Sequence, residues 1–231
     1  MQKNILITGA SRGIGHDLAK ILSDQGHRVL AISRNSELLT QLQQSCSGFV
    51  DCLATDLSRP EAIELILEKV SLFGHLDLVV NNAGYLYKEQ FENIPDERWQ
   101  YLFEVNVFGP VRLLRGLLPY LEKSTQAHVV NISSMGGFQG SSKFPGLSAY
   151  SASKAALANL TECLAEEWKN KGIAVNCLAL GAVQTAMLAE AFPGYQAPVD
   201  SPTMAQYIAD FALEGHRLFN GKILPVSVST P

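Results

Sequence analysis

Charge is scarce in this 231-residue chain: Asp, Glu, Lys and Arg make up 17% of it, where an ordinary soluble domain carries roughly 25%. The 18 basic residues fall short of the 22 acidic ones, for a formal net charge of −4. That balance lacks the basic patch or stripe of a nucleic-acid binder. The four cysteines, Cys46, Cys52, Cys163 and Cys177, include no CxxC pair and no zinc-finger spacing, so they read as buried free thiols. The five histidines, His16, His27, His75, His128 and His216, stand singly and suggest no metal cluster. No apolar run approaches the roughly 18 residues of a membrane span. The N-terminus lacks the charged, apolar and small-residue segments of a secretory leader. Neither nucleic acid nor membrane is an expected partner, and the expected compartment is the cytoplasm. Linkers, repeats and low-complexity stretches are missing too, which leaves a single domain over residues 1–231.

What the chain does have is 47% apolar residues, too many for a disordered segment. Short aliphatic runs at residues 5–7, 28–32, 49–54, 76–80, 128–132, 173–178 and 223–226 alternate with helix-period stretches such as 13–25 and 36–44. Ile63, Ile66, Leu67 and Val70 recur at helical offsets, with Pro60 suited to the first turn of that helix. Most strands are apolar along much of their length, as when helices cover both faces of a parallel sheet. The repetition predicts a doubly wound α/β fold of about seven strands, with ligands at the carboxyl ends of the strands.

The first strand runs directly into Thr8-Gly9-Ala10-Ser11-Arg12-Gly13-Ile14-Gly15. Glycines between a strand and a helix let the backbone approach a pyrophosphate, and the helix N-terminus adds N–H donors and a positive dipole end. The spacing G-x-x-x-G-x-G is neither the G-x-G-x-x-G fingerprint nor a Walker loop, which needs Gly-Lys-Ser/Thr. It resembles the cofactor-binding motif of the short-chain dehydrogenase/reductase family. Further matches follow in the family's order: Asn81-Asn82-Ala83-Gly84, Asn106 in Val105-Asn106-Val107, Ser134, and Tyr150-x-x-x-Lys154. Tyr-x-x-x-Lys alone is a weak signal, but five ordered matches are not. They span residues 8–154, and the strand pattern extends the resemblance to nearly the whole chain. The resemblance implies a Rossmann-type sheet and hydride transfer between a nicotinamide cofactor and a carbonyl or secondary alcohol.

Strand two ends Ala31-Ile32-Ser33-Arg34, without the acid that bonds an NAD ribose. An arginine at this point accommodates the 2′-phosphate of NADP, and a planar guanidinium suits bidentate phosphate contact. Single arginines are also common as solvated surface charges. By similarity to the family's NADP-type members, Ser33, Arg34 and Arg12 frame the 2′-phosphate, so NADP(H) is expected in preference to NAD(H). The same resemblance gives the phosphate turn to Gly9, Ser11, Gly13, Ile14 and Gly15 and the adenine contact to Asp56 and Leu57. Asn82, Ala83 and Gly84 then line the cleft, and Val183 and Thr185 meet the nicotinamide. Leu180-Gly181 stands where the family usually has Pro-Gly, which affects local loop rigidity.

Hydride transfer to a carbonyl leaves an alkoxide that needs a proton. A tyrosine, with an ordinary pKa of about 10, can exchange it if nearby cations favour the phenolate. Tyr150 and Lys154 lie four apart, on one face of a predicted helix. The resemblance makes Tyr150 the general acid/base, with Lys154 lowering its pKa and holding the nicotinamide ribose. It also has Ser134 bonding the substrate oxygen and Asn106 placing a relay water toward Lys154. Ser133 competes with Ser134 for that role. Ser134 and Tyr150 are 16 apart, more than the family's pattern, so residues 135–146 are expected to form an enlarged, flexible loop beside the substrate.

Residues 186–202 are expected to be a substrate lid carrying Met187, Leu188, Phe192, Pro193, Gly194, Tyr195 and Pro198. With Phe138, Phe144, Leu147, Tyr85 and Tyr87 they suit an apolar, aromatic pocket for an uncharged small-molecule carbonyl or alcohol. The same residues would equally fill a core or subunit interface. Helices around 99–121 and 148–168 resemble the family's subunit-contact helices, which implies a homodimer or homotetramer. The alternative from another class is a non-catalytic NADPH-binding sensor or scaffold. Such a protein could lose the tyrosine or lysine, so the complete set Asn106, Ser134, Tyr150 and Lys154 favours an enzyme.

Overall fold

Strand β1 (Asn4–Thr8) shows how the sheet is built: all five residues are buried, Ile5 and Ile7 on one side and Leu6 on the other. Successive side chains of a strand point to opposite faces, so a strand apolar throughout must be covered twice. The computed structural model describes residues 1–228. Strands β2 (Arg28–Ser33), β3 (Val50–Ala54), β4 (Leu78–Asn81), β5 (Ala127–Ser134) and β6 (Ile173–Leu180) follow in the chain. The short strands β7 (Val183–Gln184) and β8 (Val199–Asp200) then pair with each other, and β9 (Ile223–Val226) closes the series. The main sheet is parallel and seven-stranded, in the order β3-β2-β1-β4-β5-β6-β9. This is the expected doubly wound, Rossmann-type architecture in one domain, and its order reverses between β1 and β4.

Helices α1 (Gly13–Asp24) and α2 (Ser36–Ser45) lie on one face of the sheet, joined there by a later helix, α8 (Ser201–Glu214). Leu18, Leu22, Leu39 and Ile208 pack there on Ile5, Ile7, Val29 and Val130. The other face is covered by α3 (Ala62–Ser71), by α5 (Gly109–Leu121), which follows α4 (Asp96–Phe103), and by the end of α6 (Ser148–Glu167). Ile66, Val70, Leu113 and Leu117 meet Leu6, Leu30, Val79 and Val129. Full burial of each such Leu, Ile or Val contributes about 1.5–3 kcal/mol. The remaining helix, α7 (Ala186–Ala191), is capped by the Thr185 hydroxyl, as α8 is by Asp200. Among the described residues no helix is long and apolar enough to cross a membrane.

Three local expectations change. Of the four cysteines expected to be buried, Cys177 is buried, Cys46 and Cys52 are half-buried and Cys163 is exposed. The segment around 99–121 is not one helix: α4 and α5 are separated by a π-helical turn over Glu104–Phe108, in which the Gly109 N–H reaches back to Glu104 C=O. Pro110, in the first turn of α5, has no N–H to give the carbonyl four residues back, which is that of Asn106. Pro60 also precedes its helix, accepting the Ile63 N–H in a turn, so α3 starts at Ala62.

At the amino end of β5, His128 is buried between α8 and β6. Its Nδ1 lies 2.8 Å from Ala212 C=O, and its Nε2 lies 3.0 Å from the Asn176 amide nitrogen. That amide also donates to Phe219 C=O, so Nε2 accepts and the ring is held neutral. Burial pushes its pKa down to about 4, against the upward pull of the Ala212 carbonyl. The unfolded chain therefore takes up this proton first as pH falls below about 6.5. Urea unfolding is expected to lose about 3 kcal/mol of stability to this group between pH 6.5 and 4. In His128→Gln that part of the pH slope should vanish.

Candidate active site

Where β1 and β4 end, their chains leave for opposite faces and open a crevice. Thr8 and Asn82 tie its two walls together. The Asn82 and Ala83 N–H groups donate to the Thr8 hydroxyl at 3.1 and 3.0 Å, and the Asn82 amide donates to Thr8 C=O at 3.1 Å and Gly9 C=O at 3.2 Å. Gly9 has φ +71°, and a Cβ there would lie 2.8 Å from Ala83 Cα. A Cβ on Gly15 would collide with the Asn82 amide and Gly9 C=O. The turn then enters α1, whose N-cap, Arg12, provides no side-chain cap and whose first turn carries no acid. The first-turn N–H groups are thus left for an anion.

Beside this turn the Ser33 hydroxyl donates to the Ser11 hydroxyl at 2.7 Å, and Arg34 Nη1 donates to the Tyr101 hydroxyl at 2.8 Å. Arg12 lies 3.7 Å from Glu190 of α7, both largely exposed, a pairing of little worth in water. Asp56 accepts the Ser58 N–H at 3.0 Å, and Arg112 donates to Leu57 C=O at 3.2 Å. The Asp56-Leu57 turn is therefore set by its own backbone and by α5.

At the other end of the crevice α6 presents Tyr150 and Lys154. The Ser133 hydroxyl donates to Lys154 C=O at 2.8 Å, and Lys154 Nζ donates to Ile132 C=O at 2.9 Å. Ser134 accepts the Gly136 N–H at 3.1 Å, and its hydroxyl lies near that of Tyr150. Ser133 is thus committed to the helix, while Ser134 faces the tyrosine. Burial pushes Tyr150 up to about 12, and the nearby Ser134 hydroxyl only partly opposes it. This is the reverse of the lowering expected from Lys154, whose Nζ sits 5.9 Å from the Tyr150 ring centre. Burial also lowers Lys154 to about 8. Asn106, wholly buried in the π-turn, accepts the Tyr85 N–H at 2.8 Å and donates to Tyr85 C=O and the Ser153 hydroxyl, each at 2.9 Å. A Cβ on Gly84 would lie 3.3 Å from Lys154 Nζ and 3.6 Å from Asn106 Oδ1, so these three groups meet.

Three comparisons place this geometry among known proteins. The family model for short chain dehydrogenases matches residues 3–196. The chain belongs to the short-chain dehydrogenase family. It is 35% identical over 186 residues to 2-dehydro-3-deoxy-D-gluconate 5-dehydrogenase of Bacillus subtilis, covering 80% of this chain and 72% of that one. An uncharacterized oxidoreductase of Staphylococcus epidermidis is 33% identical over 187 residues, 80% of each chain. Among solved structures, L-sorbose reductase from Gluconobacter frateurii, complexed with NADPH and L-sorbose, superposes with a TM-score of 0.88 at 26% identity over 99% of this chain and 96% of that one. The 3-ketoacyl-(acyl-carrier-protein) reductase from Brucella melitensis, complexed with NADH, gives 0.89 at 25% identity over 97% and 96%. The chain is therefore an oxidoreductase of this family.

One cavity of about 520 Å³ joins both ends of the crevice in this short-chain dehydrogenase. It is lined by Gly9, Ser11, Arg12, Gly13, Ile14, Ser33, Arg34, Asp56, Leu57, Asn82, Ala83, Gly84, Ser134, Tyr150, Lys154, Val183 and Thr185. Gly15 and Asn106 stand behind that lining, each supporting residues in it. Tyr85, Phe144, Leu147, Met187, Leu188, Phe192 and Tyr195 form an apolar end. Tyr87, expected there, lies instead under the Arg98 guanidinium at 5.1 Å. Phe138, in the loop expected to be flexible, has its carbonyl bonded by Ser141 at 2.9 Å and Lys143 at 2.6 Å. Sequence reasoning missed Tyr101, Ser153 and Lys88. Lys88 donates to Ala191 C=O at 2.9 Å and lies 4.0 Å over the Phe192 ring. Each acts across a large sequence separation; Tyr101 and Lys88 have no motif around them, and Ser153 is one of the unspecified positions inside Tyr150-x-x-x-Lys154. Gly9→Ala and Gly194→Ala, both at left-handed φ, should differ: Gly194 has open space around it at φ +83°. Denaturant unfolding is expected to show about 1–2 kcal/mol lost at Gly194, with more at Gly9 together with lost nucleotide binding.

Proposed function

We propose that the chain is an NADP(H)-dependent carbonyl reductase or alcohol dehydrogenase acting on an uncharged, moderately apolar substrate. The observation that carries this reading is the meeting, in one cavity, of the glycine turn with the Tyr150 and Ser134 hydroxyls and the Lys154 ammonium. The residues fit a dinucleotide. A cradle that a Cβ would fill, an uncapped helix N-terminus and two arginines stand at one end, and a proton donor stands at the other. Strand two ends in Ser33-Arg34 without an acid, which supports NADP(H) over NAD(H). The L-sorbose reductase neighbour is complexed with NADPH, and the ketoacyl reductase neighbour with NADH.

When bound, the nicotinamide supplies or accepts the hydride. Ser134 donates a hydrogen bond to the substrate oxygen, and Tyr150 gives that oxygen its proton on reduction or takes it back on oxidation. With its pKa pushed up to about 12, Tyr150 rests protonated at neutral pH, the form reduction needs. Lys154, lowered to about 8, exchanges its own proton near neutrality and can restore the one Tyr150 gives up. The Asn106 carbonyl, denied an α-helical partner by Pro110, is the acceptor for a water leading from Lys154 to solvent. The apolar end of the cavity, closed by Phe144 against Phe192 with ring centroids 6.1 Å apart, supports an uncharged substrate. Residues 186–202 then act as its lid. Exposed Phe91 and Phe108, before and after α4, support assembly as a homodimer or homotetramer.

The decisive experiment follows NADPH oxidation by absorbance against a panel of carbonyl compounds. Turnover is expected on neutral ketones or aldehydes, with Tyr150→Phe slower by about a hundredfold or more in kcat. Reduction should persist at neutral pH, while oxidation of the product alcohol rises with pH as Tyr150 ionises. Activity confined to anionic carbonyls would overturn the substrate class, and no turnover at all would return the sensor reading. NADPH should bind more tightly than NADH, and Arg34→Asp should narrow or reverse that preference. Equal affinities in the wild type would refute it.

A further inference from the structure

Arg34 is held from a distant part of the chain. Its Nη1 donates to the hydroxyl of Tyr101 on α4 at 2.8 Å, across 67 positions of sequence. The Tyr101 ring packs edge-on against Tyr85, with centroids 4.9 Å apart. Tyr85 is itself fixed: Asn106 takes both its backbone N–H and its C=O, and Arg98 donates to its hydroxyl at 3.1 Å. Tyr101 therefore stands on a braced platform that reaches back to the buried π-turn.

We propose that Tyr101 is a specificity-determining positioning residue, which holds the Arg34 guanidinium ready for the 2′-phosphate of NADP(H). The proposal rests on the NADP(H) reading of the cleft. A free arginine side chain loses up to about 2 kcal/mol of rotamer entropy when it is ordered, and Tyr101 imposes part of that order before the nucleotide arrives. Only Nη1 is engaged. The Nε–Nη2 edge, the one suited to a bidentate oxyanion, has no partner among the described residues. The partner's chemistry matters as well. A carboxylate at this place would cancel the charge of Arg34, whereas a phenol hydroxyl orients the cation and leaves its charge whole. Arg12 shows the contrast, since its guanidinium faces the carboxylate of Glu190 at 3.7 Å. Of the two arginines on the cavity, Arg34 is the one braced by a neutral group.

The test is an equilibrium titration of wild type, Tyr101→Phe, Arg34→Ala and the double variant with NADPH, NADH and adenosine 2′,5′-bisphosphate. The bisphosphate carries the 2′-phosphate without any nicotinamide chemistry. Tyr101→Phe keeps the ring against Tyr85 and removes only the hydroxyl. It is expected to weaken NADPH and the bisphosphate by about three- to tenfold and to leave NADH unchanged. The double variant should bind no more weakly than Arg34→Ala, because both changes act through one guanidinium. Unchanged NADPH binding in Tyr101→Phe, or equal weakening of NADH, would overturn the positioning role. So would losses that add to those of Arg34→Ala. If Arg34→Ala itself leaves the NADPH-to-NADH ratio unaltered, the cofactor reading falls as well, and the two failures are told apart.

Discussion

The clasp between Thr8 and Asn82 is the constraint on which the cleft depends. Beyond the last paired residues of β1 and β4 the backbone groups of both strands lose their ladder partners, and buried groups of this kind must be satisfied elsewhere. One hydroxyl and one amide do this, closing four hydrogen bonds across the switch point of the sheet. The same bonds bring the Asn82 amide so close to the glycine turn that positions 9 and 15 have no room for a Cβ. The glycines are thus required by the clasp as well as by the phosphate they would admit. Loss of this contact would separate the turn from Gly84, and with it the anion end of the cleft from Lys154.

The opposite wall is a second piece of polar carpentry set in an apolar frame. Asn81 donates to Asn131 at 2.8 Å, and Asn131 donates to Thr161 at 2.9 Å, all buried between β4, β5 and α6. Ser133 and Asn106 hold α6 from two further sides, through Lys154 C=O and the Ser153 hydroxyl. Burial of this helix lifts Tyr150 and lowers Lys154, so both neutral forms gain where bulk water would favour charge. In the proposed reaction, a protonated tyrosine beside a lysine that titrates near neutrality would be a proton donor with a supply behind it.

Much of this was legible in the chain. Runs such as Ile5-Leu6-Ile7 must be covered on both faces, and the seven-stranded parallel sheet follows from them. The glycine turn was legible from its place between the first strand and the first helix, and Asn82, Ser134, Tyr150 and Lys154 from their ordered match to the family's pattern. The π-turn at Asn106 was not read, although Gly109-Pro110 marks it: a proline four residues after a helical carbonyl interrupts the ladder wherever it falls. Tyr101 and Lys88 carried no local mark, and Ser153 stood at an unspecified position of Tyr150-x-x-x-Lys154. Tyr87, expected in the pocket with Tyr85, lies instead under the Arg98 guanidinium, which also donates to the Tyr85 hydroxyl.

The order of strands and helices, the glycine turn at the first crossover and the absence of an acid after strand two are properties of the linear chain. These depend on periodicity and on neighbours in the chain, and both are written along it. Which way burial moves Tyr150, which serine faces it and what steadies Arg34 are set by folding in three dimensions. Those outcomes depend on how much water is excluded and on partners tens of residues away. Desolvation and long-range contact exist only once the two faces of the sheet are covered.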